Sequence, residues 1–95
     1  MPSLDSSSCP KLVPAVYGEA AYPRSMFVER KEGWVVLEFD VLPNDWIPQN
    51  VHIFASSHPG GAFEVEVLRA FARTRYNVPS AYQGCRMGYV FNLAE

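Results

Sequence analysis

Gly33 to Val41 reads Gly-Trp-Val-Val-Leu-Glu-Phe-Asp-Val. Val35, Leu37, Phe39 and Val41 take every second position, and Trp34, Val36, Glu38 and Asp40 fill the gaps. A period of two sends the two sets to opposite faces of an extended chain. Such a strand needs neighbours for its backbone groups and an apolar layer for its Val-Leu-Phe-Val face. The remaining residues must supply both.

They do so in a definite order. Pro43-Asn44-Asp45 is a turn signal, and Val51, Ile53 and Ala55 return as a second strand, which makes a hairpin. Pro48 near the start of that strand suits an edge or a bulge. Ser56 to Gly61 is a loop. Phe63, Val67, Ala70, Phe71 and Thr74 then recur at spacings of three and four, which predicts an amphipathic helix of about four turns. Glu64 and Glu66 open it, while Arg69, Arg73 and Arg75 lie toward its end, in keeping with the helix dipole. Pro79 stops any continuation. Met87, Tyr89, Phe91 and Leu93 alternate as a last strand.

Upstream, Glu19 to Arg30 predicts a weak short helix, with Pro23 in its first turn and Gly33 as a left-handed stop. Residues 1–18 carry three serines in a row, several prolines and little periodicity, so they are expected to be a tail or linker to a domain over 19–95. The expected fold is α+β: α-β-β-α-β, a three-stranded antiparallel sheet packed on one face by a short and a longer helix. The last strand lies beside the first and leaves its other side as an open edge.

Composition removes several functions. A chain of 95 residues holds one small domain, and a net charge of −2 argues against nucleic acid held by its phosphates. No apolar run is long enough for a membrane helix. Ser56, Ser57 and His58 are neighbours in a loop, which does not make a triad, and no nucleophile stands paired with a base, so no enzyme is expected. His52, His58, Cys9 and Cys85 lack the close spacing of a zinc site, and no cofactor motif occurs. Cys9 and Cys85 either form one disulfide in an oxidising compartment or remain two separate thiols. The unpaired last strand also invites pairing between copies, hence a homodimer.

Taken in order, these pieces resemble the C-terminal domain of TonB, the energy transducer of Gram-negative bacteria. The family's Tyr-Pro stands as Tyr22-Pro23, and its Glu-Gly-x-Val-x-Val-x-Phe-x-Val as Glu32 to Val41, with Leu37 at its second valine. Asn50-Val51-His52-Ile53 with Ser56-Ser57, Pro59 to Glu64, Ala70, Arg75-Tyr76 and Phe91-Asn92-Leu93 complete the pattern. Asn44-Asp45 replaces the family's Asp-Gly turn, Thr74 its tryptophan, and an extra residue near Pro48-Gln49 suggests a bulge.

The resemblance implies a periplasmic protein-interaction domain of an inner-membrane-anchored protein. Its motor would be the proton-driven ExbB–ExbD complex, acting through a region that precedes such domains. Its partner would be the TonB box of an outer-membrane receptor for siderophores or cobalamin, added as a strand. Ala21, Tyr22 and Pro23 match the family's contact region, and Arg86, Met87, Gly88, Tyr89 and Val90 lie on the expected edge. A TolA-type adaptor joining inner and outer membranes is the alternative.

Overall fold

The structure is a computed structural model and describes residues 1–5 and 8–93. Its elements are α1 (Arg24–Val28), β1 (Gly33–Leu42), β2 (Asp45–Ser56), α2 (Ala62–Phe71) and β3 (Tyr82–Phe91). They form one antiparallel sheet in the order β2-β1-β3. The expected α-β-β-α-β architecture is therefore the one observed.

The alternation in β1 explains why it is central. Val35, Leu37, Phe39 and Val41 are at most 1% exposed and face α2, whose Phe63, Val67, Ala70 and Phe71 are buried against them. Phe39 packs on Phe71 and Tyr76 at centroid distances of 4.8 and 5.2 Å. At the other end Phe63 meets Phe91 at 4.6 Å. Burying each such ring stabilises the fold by about 1.5–3 kcal/mol.

Element ends depart from the sequence-based limits. α1 is five residues long, because Pro23 stays extended (φ −61°, ψ 130°) and keeps the preceding chain out of the helix. Its left-handed stop is Arg30 (φ 55°), not Gly33, which already belongs to β1. Lys31 N–H donates to Met26 O at 2.8 Å and Arg30 N–H to Phe27 O at 3.0 Å, the bond pair of a Schellman cap. α2 ends at Phe71, short of the four turns expected. Beyond it, Arg75 N–H donates to Val16 O at 2.8 Å and Tyr76 N–H to Trp46 O at 3.0 Å, so tertiary partners take over the backbone.

β2 and β3 both begin earlier than the alternation indicates, because bulges break the period. Pro48 lies in one, as the extra residue near it suggests; Asn50 (φ 53°) lies in a second. In β3 the shift opposite Phe39–Val41 falls at Gln83-Gly84, with Gly84 at φ 67°. Asp40 holds this region together: its carboxylate accepts from Gly84 N–H at 3.0 Å and from Asn50 Nδ2 at 2.8 Å. The Asn50 and Gly84 bonds hold the Asp40 carboxyl below its ordinary value of 3.8.

A carboxyl with a depressed folded-state pKa stabilises the native state above its unfolded pKa, and that contribution disappears as pH falls through the folded value. Asp40→Ala should cost about 2 kcal/mol near neutrality by loss of these bonds. As pH falls below about 4 the gap to the parent should narrow, since protonation removes the charge-assisted part of those bonds. Urea unfolding at a series of pH values checks both.

Candidate edge-binding site

β3 forms one edge of the sheet, and its two halves have different surroundings. Beside the end of β3 from Gly88 and the following Asn92 lies a cleft of about 300 Å³. Its far wall is the extended segment Tyr17 to Tyr22, and Glu19 and Ala20 also line it.

That wall is held from several directions. Tyr22 meets Phe27, Phe63 and Phe91 edge-to-face at 5.8, 5.9 and 5.6 Å, and its hydroxyl donates to Lys31 O. Gly18 is buried: its N–H donates to Thr74 Oγ1 at 3.0 Å and its carbonyl accepts from Tyr89 O–H at 2.9 Å. Tyr17 stacks on Tyr89 with centroids 5.7 Å apart. Burial pushes the Tyr89 phenol up, further above the pH range in which the domain works, so the hydroxyl stays a donor to Gly18. Val16 pairs with Arg75 as an isolated antiparallel bridge.

The cleft brings together Tyr22, Gly88, Tyr89 and Val90 of the expected contact set. Val90 is 56% exposed and points outward; Tyr89 is buried. Ala21 is exposed next to the cleft wall, whereas Pro23 is buried at the start of α1. Arg86 and Met87 lie elsewhere, in a second hollow formed with Leu4, Cys9, Pro10 and Leu12. Arg86 is fully engaged there. It pairs with Glu38 at 3.2 Å, lies 3.9 Å over the Phe54 ring, and donates to Ser3 O at 3.1 Å.

Cys9 and Cys85 are joined by a disulfide, with Cα atoms 5.2 Å apart. Tyr17, Glu19, Ala20, Phe91 and Asn92 line the cleft without having been anticipated. No local pattern marks the first three, because their place depends on Gly18 meeting α2 and β3. Phe91 and Asn92 follow directly from extending the edge by two residues.

Polar side chains elsewhere make contacts within the fold. Ser57 Oγ accepts from Trp34 N–H at 2.9 Å and lies 2.9 Å from His58 Nδ1, while the imidazole packs edge-on to Phe63. That hydroxyl ties the loop to β1. Arg69 pairs with Glu66 at 3.1 Å, and Arg73 donates to Glu19 O at 2.7 Å. Among the described residues no cluster of three or more His, Cys, Asp or Glu could hold a metal ion, and no helix is long and apolar enough to cross a membrane.

No protein-family model and no curated protein matches the sequence. Among solved structures, the solution NMR structure of the Pseudomonas aeruginosa TonB C-terminal domain is similar over all of this chain and 96% of its own length. The TM-score is 0.72 at 24% sequence identity. A sheet ordered β2-β1-β3, covered on one face by α2 and bordered by the segment leading into α1, is thus the fold of a TonB C-terminal domain.

Proposed function

We propose that this chain is a non-catalytic protein-interaction domain of a periplasmic TonB-type transducer. It binds an extended segment of an outer-membrane receptor by adding it to the β3 edge. The observation that carries this reading is the cleft between Gly88–Asn92 and Tyr17–Tyr22, on a fold shared with a TonB domain. Main-chain hydrogen bonds give such a complex its affinity, and side-chain contacts with the second wall give it specificity. Pulled along its length, an added strand loads several hydrogen bonds together, which suits transmission of force from an ExbB–ExbD motor to the receptor.

Titration of the labelled domain with a synthetic TonB-box peptide tests this reading. Amide resonances of Gly88 to Asn92 and of Tyr17 to Tyr22 should shift together. Binding at the β2 edge, or no binding at millimolar peptide, would refute it. Val90→Pro adds no bulk to the core, since Val90 is exposed, yet it puts a ring on the edge and removes an N–H. It should weaken peptide binding by about tenfold or more, as loss of one or two main-chain bonds predicts. Isothermal titration reads the change, and circular dichroism checks the fold.

A further inference from the structure

Glu19 stands near the middle of the wall that faces the β3 edge. Tyr17, at one end of that wall, stacks on Tyr89, and Tyr22, at the other, meets Phe91 edge-on. Between them the side chains alternate. Gly18 is buried, and Ala20 and Tyr22 pack against the core, so Glu19 is turned the other way and is exposed. Among the described residues that line the cleft, Glu19 alone carries a charge.

The Glu19 carboxylate makes no hydrogen bond or ion pair with any described residue. The cation that touches this wall, Arg73, donates to the carbonyls of Glu19 and Arg69 at 2.7 and 3.1 Å, not to the carboxylate. Just past Asn92, Glu32 adds a second carboxylate, which accepts from Leu93 N–H at 2.7 Å. The far wall of the cleft thus presents one unpaired negative charge.

Tyr17 supplies the second half of the feature. Its ring is 49% exposed although it stacks on Tyr89. Burial, and then the charge of Glu19, push the Tyr17 phenol up, so the carboxylate acts on this side chain. A half-open aromatic ring beside an unpaired carboxylate suits a lysine or arginine. The ring takes the apolar stem or the cation itself, and the carboxylate takes the charge. Exposed Val90, across the cleft, offers the same segment an apolar contact.

We infer that the cleft selects an extended partner segment carrying a lysine or arginine where it passes Glu19. This deepens the edge-binding reading above and rests on it. Main-chain bonds to β3 are available to almost any extended sequence, so side chains must supply the discrimination. Glu19 and Tyr17 attract a cationic residue, and Glu19 rejects an acidic one by like charge.

The test titrates the full chain, oxidised, with the TonB-box peptide carrying Lys, Met or Glu in turn at each central position. Isothermal titration at low salt reads the affinities of the parent, Glu19→Gln and Glu19→Lys, and circular dichroism checks their folds. At one position the Lys peptide should bind the parent about fivefold or more tighter than the Glu peptide, and added salt should shrink that ratio. Glu19→Gln should bring the ratio below about twofold, and Glu19→Lys should invert it. A ratio below about twofold at every position in the parent overturns the inference and leaves edge binding standing. So does a preference for Lys that Glu19→Gln retains in full. If no version of the peptide binds the parent, the edge-binding reading fails and the inference falls with it.

Discussion

Gly18→Ala should be among the most damaging single substitutions in this chain, at about 3 kcal/mol or more. A Cβ at this position would stand 1.9 Å from the carbonyl oxygen of Ala70, a backbone atom of α2 that cannot rotate aside. Relief requires the segment and the helix to separate. That movement strains a chain of hydrogen bonds: Tyr89 O–H to Gly18 O, Gly18 N–H to Thr74 Oγ1, and Thr74 O–H to Ala70 O at 3.3 Å. Thr74 is fully buried, so its hydroxyl has no water to turn to.

Thermal and urea denaturation give the magnitude. A loss below about 1 kcal/mol would mean that the segment around Gly18 is not docked on α2 in solution. Thr74→Val, which keeps the volume and removes the hydroxyl, should cost about 1–3 kcal/mol by leaving Gly18 N–H unpaired. Because Tyr17 to Tyr22 forms the second wall of the cleft, Gly18→Ala should also weaken peptide binding at temperatures where the protein remains folded.

The part of this molecule that follows from local pattern was readable in advance. Period two in Gly33–Val41, periods three and four in Phe63–Phe71, and the turn at Pro43-Asn44 lead to the sheet order and the helix-covered face. The bulges were less visible. Gly84 in a left-handed conformation and Asn50 at φ 53° interrupt the alternation, so a reading by period starts β2 and β3 late.

Least visible were the contacts of residues 1–18. Leu12, Val16, Tyr17 and Gly18 have no common period, and what orders them is long-range: a bridge to Arg75, a stack on Tyr89, a fit against Ala70 and a bond to Cys85 through Cys9. The same holds for the candidate site. One strand of the cleft can be found from its alternation, but its opposite wall depends on packing that no short window of sequence contains.

Loss of the Cys9–Cys85 bond should lower stability by up to about 4.5 kcal/mol, the chain-entropy value for a closed loop of this size. The bond joins residues 76 apart, so it restricts nearly the whole unfolded chain. In the folded state Cys85 is 2% exposed, opposite Phe39 in the sheet, and Cys9 is 7% exposed. Cys85→Ala together with Cys9→Ala therefore leaves a small packing defect in addition to the entropic loss.

A domain of this size loses about 4–8 °C in Tm per kcal/mol, so the double variant should melt roughly 20–35 °C below the oxidised parent. The parent in a dithiol reductant should approach the same value, and Asp40→Ala with its disulfide intact should not. A fall of only a few degrees would show that the unfolded chain is compact enough to need little restraint. The two large effects also separate by mechanism. Gly18→Ala strains the folded state, whereas breaking the disulfide mainly frees the unfolded one. Only the first should accelerate exchange of the α2 amides Ala70 and Phe71 by local opening under conditions where both variants remain native.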